Sequence, residues 1–242
     1  MNYISRKKLK QEINKGAIKG QKKGLQSLMP EILVLLVFAV LVLNTMLFFS
    51  YYKYFTVKQN SMRPLLNNYE NSNISDGVFV NVRAKFTVGD VVVINQGQNI
   101  IKRIIGMPGD KIAVTDRIND NNELEFVILR IAAGTLSPYT MEENYLSEEA
   151  KTTGMQTAYQ EFVVLLSKTP YNKKTQVNDI TYLVLGDNEV FYLGDNRKVS
   201  EDSSNHGAAD ISKVVGKVEI IVKKEQNMLY HILCYLLGFK KV

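Results

Sequence analysis

From Ile32 to Tyr52 the chain reads ILVLLVFAVLVLNTMLFFSYY, a run without one charged residue. At helical rise this run measures about 31 Å, the thickness of the hydrocarbon core of a bilayer. Asn44 is its one strongly polar member. A core helix of a soluble domain keeps a polar stripe, and this segment has none. A cleavable leader has a shorter apolar part and small residues ahead of its cut site. Here the run ends on Phe48, Phe49, Tyr51, Tyr52, Tyr54 and Phe55. That cluster reads as an aromatic belt at a membrane interface, and the segment as a retained anchor.

Charge orients the anchor. The protein has 30 basic and 24 acidic side chains, a net +6. Its first 29 residues hold +7, with Arg6, Lys7, Lys8, Lys10, Lys15, Lys19, Lys22 and Lys23 against Glu12, so the remainder holds −1. The expected topology is a single pass through the cell membrane, with the N-terminus in the cytoplasm and everything after residue 55 on the outer face. The lipid bilayer is thus an expected partner. Nucleic acid is not, because a nearly neutral body offers no basic surface in net terms. The lone Cys234 makes no internal disulfide or cysteine-built zinc site, and His206 and His231 are too few for most histidine-built metal sites. No cofactor and no metal are expected, and chemistry falls to Ser, Lys and carboxylates.

After the anchor, strand-like segments at Val78–Val82, Asp90–Ile94, Ile100–Ile105, Glu125–Arg130, Phe162–Leu166, Thr181–Leu185, Val190–Leu193 and Val214–Val222 are rich in Val, Ile, Phe and Tyr. They are short and punctuated by Gly, Asn and Asp, which predicts a mainly β fold of antiparallel type. Ala132–Gln160 is polar and reads as a loop or short helix in an inserted region. Gly-Asp-Asn occurs at 186–188 and at 194–196, and the first copy is expected to turn a β-hairpin. The expected organisation is a basic tail over 1–29, the anchor over 30–55, an exported domain over 56–227 with an insertion at roughly 115–180, and an apolar segment over 228–242. The run from Met228 to Phe239 is too short to span a bilayer. A helix lying on the membrane surface and a terminal packing element both stay open for it.

Three motifs follow in order. Asn60-Ser61-Met62-Arg63-Pro64-Leu65-Leu66 begins eight residues beyond Tyr52, Ile100-Ile101-Lys102-Arg103-Ile104-Ile105 leads into Gly106-Met107-Pro108-Gly109-Asp110, and Gly194-Asp195-Asn196-Arg197-Lys198-Val199-Ser200-Glu201-Asp202-Ser203 closes the set. Together, behind an N-terminal anchor, they resemble the bacterial type I signal peptidases. These are membrane-bound serine endopeptidases, hydrolases that remove signal peptides from exported preproteins. The resemblance implies an antiparallel catalytic domain with a smaller β insertion, Ser61 as nucleophile and Lys102 as general base. It also implies that Ser200 bonds the lysine amine and that Asp195 and Asp202 organise the surroundings, with Arg103 pairing to Asp195. Val57, Met62, Leu66 and Ile101 would line shallow pockets for the small residues before the cut; plain core packing is their other reading.

Elementary chemistry agrees. A serine hydroxyl attacks only when a neighbour takes its proton, and serine–lysine pairs are a known alternative to the histidine triad. An ordinary lysine is about one part in a few thousand neutral at pH 7, and removal from water lowers its pKa. Strand alternation puts Ile100 and Ile104 on the face of Lys102. Arg103, next along, does not deprotonate. The chain departs from the family pattern at Ser204, where arginine is usual, at Leu65, where threonine is usual, and at Gln59, two before the nucleophile, whose amide could donate to an oxyanion alongside the Ser61 N–H. These departures motivate an alternative, an inactive or specialised paralogue that binds precursors and assists surface-protein assembly such as pilus building. A Ser/His enzyme using His206 beside Ser203 and Asp202 is a further alternative.

Overall fold

In a computed structural model, which describes residues 3–68 and 75–223, helix α1 (Tyr3–Tyr51) is one continuous element passing through Pro30. Its last 24 residues, Leu28–Tyr51, are long and apolar enough to cross a membrane. Leu33, Val34, Leu35 and Phe38 all stand exposed on it, the reverse of what a helix packed in a soluble core shows. The basic tail thus continues the helix instead of preceding it. The helix ends at Tyr51, so the aromatic cluster is divided. Tyr52 opens a strand, is buried, and bonds Glu219 through its hydroxyl, while the Tyr54 ring packs on Phe79 at 5.1 Å. The run from Met228 to Phe239 lies outside the described residues.

The body from Tyr51 onward is a second unit. Its strands are β1 (Tyr52–Thr56), β2 (Gly77–Asn81), β3 (Val91–Asn95), β4 (Asn99–Gly106), β5 (Lys111–Ile118), β6 (Leu124–Ile131), β7 (Tyr139–Thr140), β8 (Lys174–Val177), β9 (Ile180–Val184), β10 (Glu189–Leu193), β11 (Ala209–Asp210) and β12 (Val214–Val222). Two helices join them, α2 (Met155–Lys168) and the single turn α3 (Ser203–His206). One sheet runs β1-β2-β12-β3-β4-β10-β11 and the other β7-β6-β5-β9-β8, and every pairing is antiparallel. The second sheet comes entirely from residues between Lys111 and Val184, inserted between β4 and β10 of the first.

The Met107–Asp110 turn that ends β4 is where the chain passes from one sheet to the other. Asp110 is buried and takes hydrogen bonds from Met107 N, Ala133 N and Arg130 Nε. One carboxylate therefore fixes the end of the lysine strand against the start of the insertion.

Two strand expectations are corrected. Phe162–Leu166 is the last part of α2: Met155, Ala158 and Phe162 are buried together while Val163 and Val164 face out. Five consecutive apolar residues look like a strand alone, but burial at spacings of three and four is helical. Gly186-Asp187-Asn188 turns no hairpin, because β9 belongs to the second sheet and β10 to the first. The turn is real, with Glu189 N bonded to Gly186 O, and it is a crossover between sheets.

Candidate active site

Strand β4 carries the second motif into the core. Lys102 sits opposite Val92, and Arg103 opposite Val91 on one side and Leu193 on the other. On the Lys102 face, Ile104 packs with Val92, Ile94 and Tyr192, and Ile100 covers the cluster from outside. On the other face Ile101 packs with Val57, Met62, Leu66 and Val93. Lys102 is only 1% exposed, and its Nζ donates to Ser200 Oγ at 2.8 Å. Burial holds its pKa below the ordinary lysine value, and the charges of Asp202, Glu201 and Asp195 oppose that shift without cancelling it.

Ser61 sits in the turn after the extended segment that follows β1, and it is buried. The third motif clasps that turn. Asn196 N donates to Ser61 O at 2.9 Å and Asn196 Nδ2 to Asn60 O at 3.2 Å. Gly194 is needed for the approach, since a Cβ there would lie 2.5 Å from Ser61 O and 2.2 Å from Ser200 Oγ. Neither the Ser61 N–H nor the Gln59 side-chain amide makes a hydrogen bond among the described residues.

Ser61 lies where two clefts meet. One, of about 930 Å³, also contains Lys102, Tyr192, Glu201, His206 and Lys213 and is largely polar. The other, of about 430 Å³, is walled by Val57, Met62, Val93 and Ile101. Gln59 and Lys58 border both. Leu66 does not reach the smaller cleft: it is wholly buried beneath Val57 and Met62 and serves as packing.

The two aspartates of the third motif are engaged in structure. Asp195 takes Arg103 Nε at 2.8 Å and Nη2 at 2.5 Å, while Arg103 Nη1 reaches Gly89 O. Asp202 caps α3: Oδ1 accepts from Ser204 N, and Oδ2 accepts from Gly194 N at 2.9 Å, which closes the two ends of the motif on each other. Ser204 Oγ lies 2.8 Å from both Asp202 Oδ1 and Glu161 Oε2, so one hydroxyl proton serves two carboxylates. Burial, with the charge of Asp202, raises the Glu161 pKa. Ser203 Oγ accepts from Tyr192 N, and His206 is exposed with no side-chain hydrogen bond to a serine or carboxylate among the described residues. A triad built on His206 finds no support in that geometry.

Sequence reasoning missed Arg197, Glu143 and Tyr145. Arg197 is wholly buried; it caps Gly194 O through Nε at 2.9 Å, forks onto Glu143, and contacts Met155 Sδ at 3.0 Å. Tyr145 bonds Glu143, and its ring lies under the Arg103 guanidinium at 3.8 Å. Arginine inside a motif of candidate site residues was the available signal, for a buried guanidinium must find a carboxylate. Among the described residues, no group of three or more His, Cys, Asp or Glu side chains is placed to hold a metal ion.

Comparisons with known proteins match this arrangement to one family. Residues 29–223 match the family described as signal peptidase, peptidase S26. The signal peptidase I of Rickettsia akari (strain Hartford) is 31% identical over 140 residues, 55% of this chain and 50% of that protein. The signal peptidase I S of Bacillus subtilis (strain 168) is 30% identical over 192 residues, 76% of this chain and 81% of that one. The chain spans about half the length of the Rickettsia relatives it matches. A solved signal peptidase I from Enterococcus faecalis V583 is similar at 18% identity with a TM-score of 0.31, covering 55% of this chain and 97% of that one.

Proposed function

The chain belongs to the signal peptidase family, peptidase S26, and from that premise we propose that it is a membrane-anchored serine endopeptidase that cuts signal peptides from exported preproteins with a Ser61/Lys102 dyad. The observation that carries the reading is the setting of Lys102: a buried amine on a strand opposite Val92, bonded to one hydroxyl, in the cleft that holds Ser61. The domain reading goes with it: a tail over 1–29 inside the cell, α1 crossing the membrane, and the body on the outer face.

The geometry supports the following steps. Neutral Lys102 Nζ takes the Ser61 hydroxyl proton as Ser61 Oγ bonds to the scissile carbonyl carbon. Ser200 Oγ accepts an N–H of Lys102 and so turns the amine's lone pair, the proton acceptor, away from itself. The Ser61 N–H and the Gln59 amide are the free donors beside the developing oxyanion. The lysine ammonium then gives its proton to the leaving amine, which departs with the mature chain. Neutral Lys102 next deprotonates a water as its oxygen attacks the acyl-Ser61 ester, and the ammonium returns that proton to Ser61 Oγ as the signal peptide leaves with its new carboxylate. Arg103 and Asp195 hold the lysine strand against β10, and Asp202 and Arg197 hold the loop that carries Ser200. Val57, Met62 and Ile101 form the apolar side on which small residues before the cut would rest, and the polar cleft takes the chain beyond it.

The test is cleavage of a preprotein by the full chain in detergent. Ser61→Ala and Lys102→Met should each abolish it while leaving the circular dichroism spectrum unchanged. Full cleavage by either variant refutes the dyad. The paralogue reading predicts instead that the unaltered protein binds the preprotein and leaves it whole.

A further inference from the structure

The segment leading to the nucleophile is held from behind by two residues that no motif contains. Asn67 Nδ2 donates to Val57 O at 2.8 Å and to Gln59 O at 3.1 Å. Val57 N donates to Asp76 O at 2.9 Å. Asn67 and Asp76 also lock each other: Asp76 N donates to Asn67 Oδ1 and Asn67 N to Asp76 Oδ2, both at 2.8 Å. Asp76 is wholly buried and Asn67 4% exposed. Lys223 Nζ ties the pair to the end of β12 through Asp76 Oδ2 at 2.9 Å, and donates to Leu65 O as well.

Asn67 adopts φ +53°, the left-handed region where glycine is the cheapest residue and asparagine is tolerated. A position chosen for the turn alone would suit glycine, yet glycine makes none of the side-chain bonds that reach Val57 and Gln59. Carbonyls two residues apart that meet one amide mark an extended backbone, whose intervening residue turns its N–H and C=O the opposite way. That residue is Lys58. Its backbone groups make no hydrogen bond among the described residues, and it borders both clefts that meet at Ser61.

We propose that Asn67 and Asp76 are positioning residues, a latch that fixes the inner edge of Val57–Gln59 so that the outer edge at Lys58 is set to receive an extended peptide. The proposal rests on the peptidase reading above. An extended substrate segment pairs through backbone groups, and such pairing demands a template that does not shift.

Asn67→Gly tests it, because glycine keeps the left-handed turn and removes only the side-chain bonds. Steady-state cleavage of a peptide spanning a signal-peptide cut site, by the full chain in detergent, should show KM raised on the order of tenfold, with kcat reduced no more than about threefold. An unchanged KM in the folded variant overturns the proposal. A loss confined to kcat overturns it too, since the latch would then serve Ser61 and not the substrate edge. If thermal melting shows that Asn67→Gly does not fold, Asp76→Asn decides. It keeps an acceptor for Asn67 N, weakens the tie to Lys223, and should raise KM about threefold; no rise overturns the proposal. Ser61→Ala in the same assay separates the two ideas: full cleavage there removes the dyad, while the KM comparison still judges the latch.

Discussion

Lys102 and Arg103 are adjacent on one strand and both buried, yet their surroundings differ in kind. Arg103 has a bidentate carboxylate, a backbone carbonyl and an aromatic ring over its guanidinium. Lys102 has a single hydroxyl. Of the three carboxylates whose charge reaches Lys102, Asp202 is engaged by Gly194 and Ser204 and Asp195 by Arg103, while Glu201 is exposed. Burial penalises both cations, and only a carboxylate in contact offsets the penalty. The arginine therefore stays charged and holds β4 to the third motif, while burial pushes the lysine pKa down, toward the form that can take a proton. Arg197, buried on Glu143, repeats the arginine's solution.

The largest effect should come from giving Lys102 its neighbour's chemistry. Lys102→Arg places a permanent cation at the base position, so cleavage should fall on the order of a thousandfold or more and fail to recover at high pH. Recovery in alkali would break the contrast. Lys102→Met should lose activity equally and gain stability. Folding lowers the lysine pKa below its ordinary 10.5, so between the folded and unfolded values the unfolded chain binds more protons and stability rises with pH. The deficit is complete below the folded-state pKa and gone above the unfolded one. Lys102→Met should melt above the unaltered protein at pH 6, and its lead should shrink as the pH climbs through that window. A constant gap in melting temperature would mean that the lysine is charged in the folded protein.

Removing the arginine's partner comes next. Asp195→Ala leaves a buried, unpaired guanidinium and should cost about 3–5 kcal/mol in denaturant unfolding. Glu125→Ala, which frees the exposed Arg117 of a half-buried partner, should cost about 0–1 kcal/mol. Equal losses would show that Arg103 is no better placed than a surface cation.

The difference between these two cations was partly legible in the sequence. Alternation put Ile100 and Ile104 beside Lys102, and the chemistry of guanidinium against amine separated the roles. Arg103 and Asp195 could be paired because both stand in motifs. The partners of Arg197 could not, for Glu143 and Tyr145 lie 54 and 52 residues earlier, in a stretch without periodicity. The same limit hid the Asn67–Asp76 latch, whose bonds span a loop that carries no pattern. Among the strands, β2, β3, β4, β10 and β12 announced themselves as short runs rich in Val, Ile, Phe and Tyr. The FVVLL run misled, because the helical spacing of Met155, Ala158 and Phe162 shows only over a longer window. Gly186-Asp187-Asn188 signals a turn in any context, and which two sheets the turn connects is a tertiary fact.

The smallest effect sharpens the comparison most, because it adjusts Lys102 without touching it. Glu201 is exposed, borders the polar cleft, and acts on the amine through charge alone, raising its pKa. Glu201→Gln should therefore lower that pKa further and enlarge the neutral fraction at pH 7. Activity needs the neutral amine, so the rising limb of kcat/KM against pH should move to lower pH. Solvent screening limits the gain at pH 7 to about fivefold, and added salt should move the unaltered protein's limb in the same direction while leaving the variant's nearly still. A limb that stays fixed, or moves to higher pH, would mean that the group titrating in catalysis is not the amine beside Glu201.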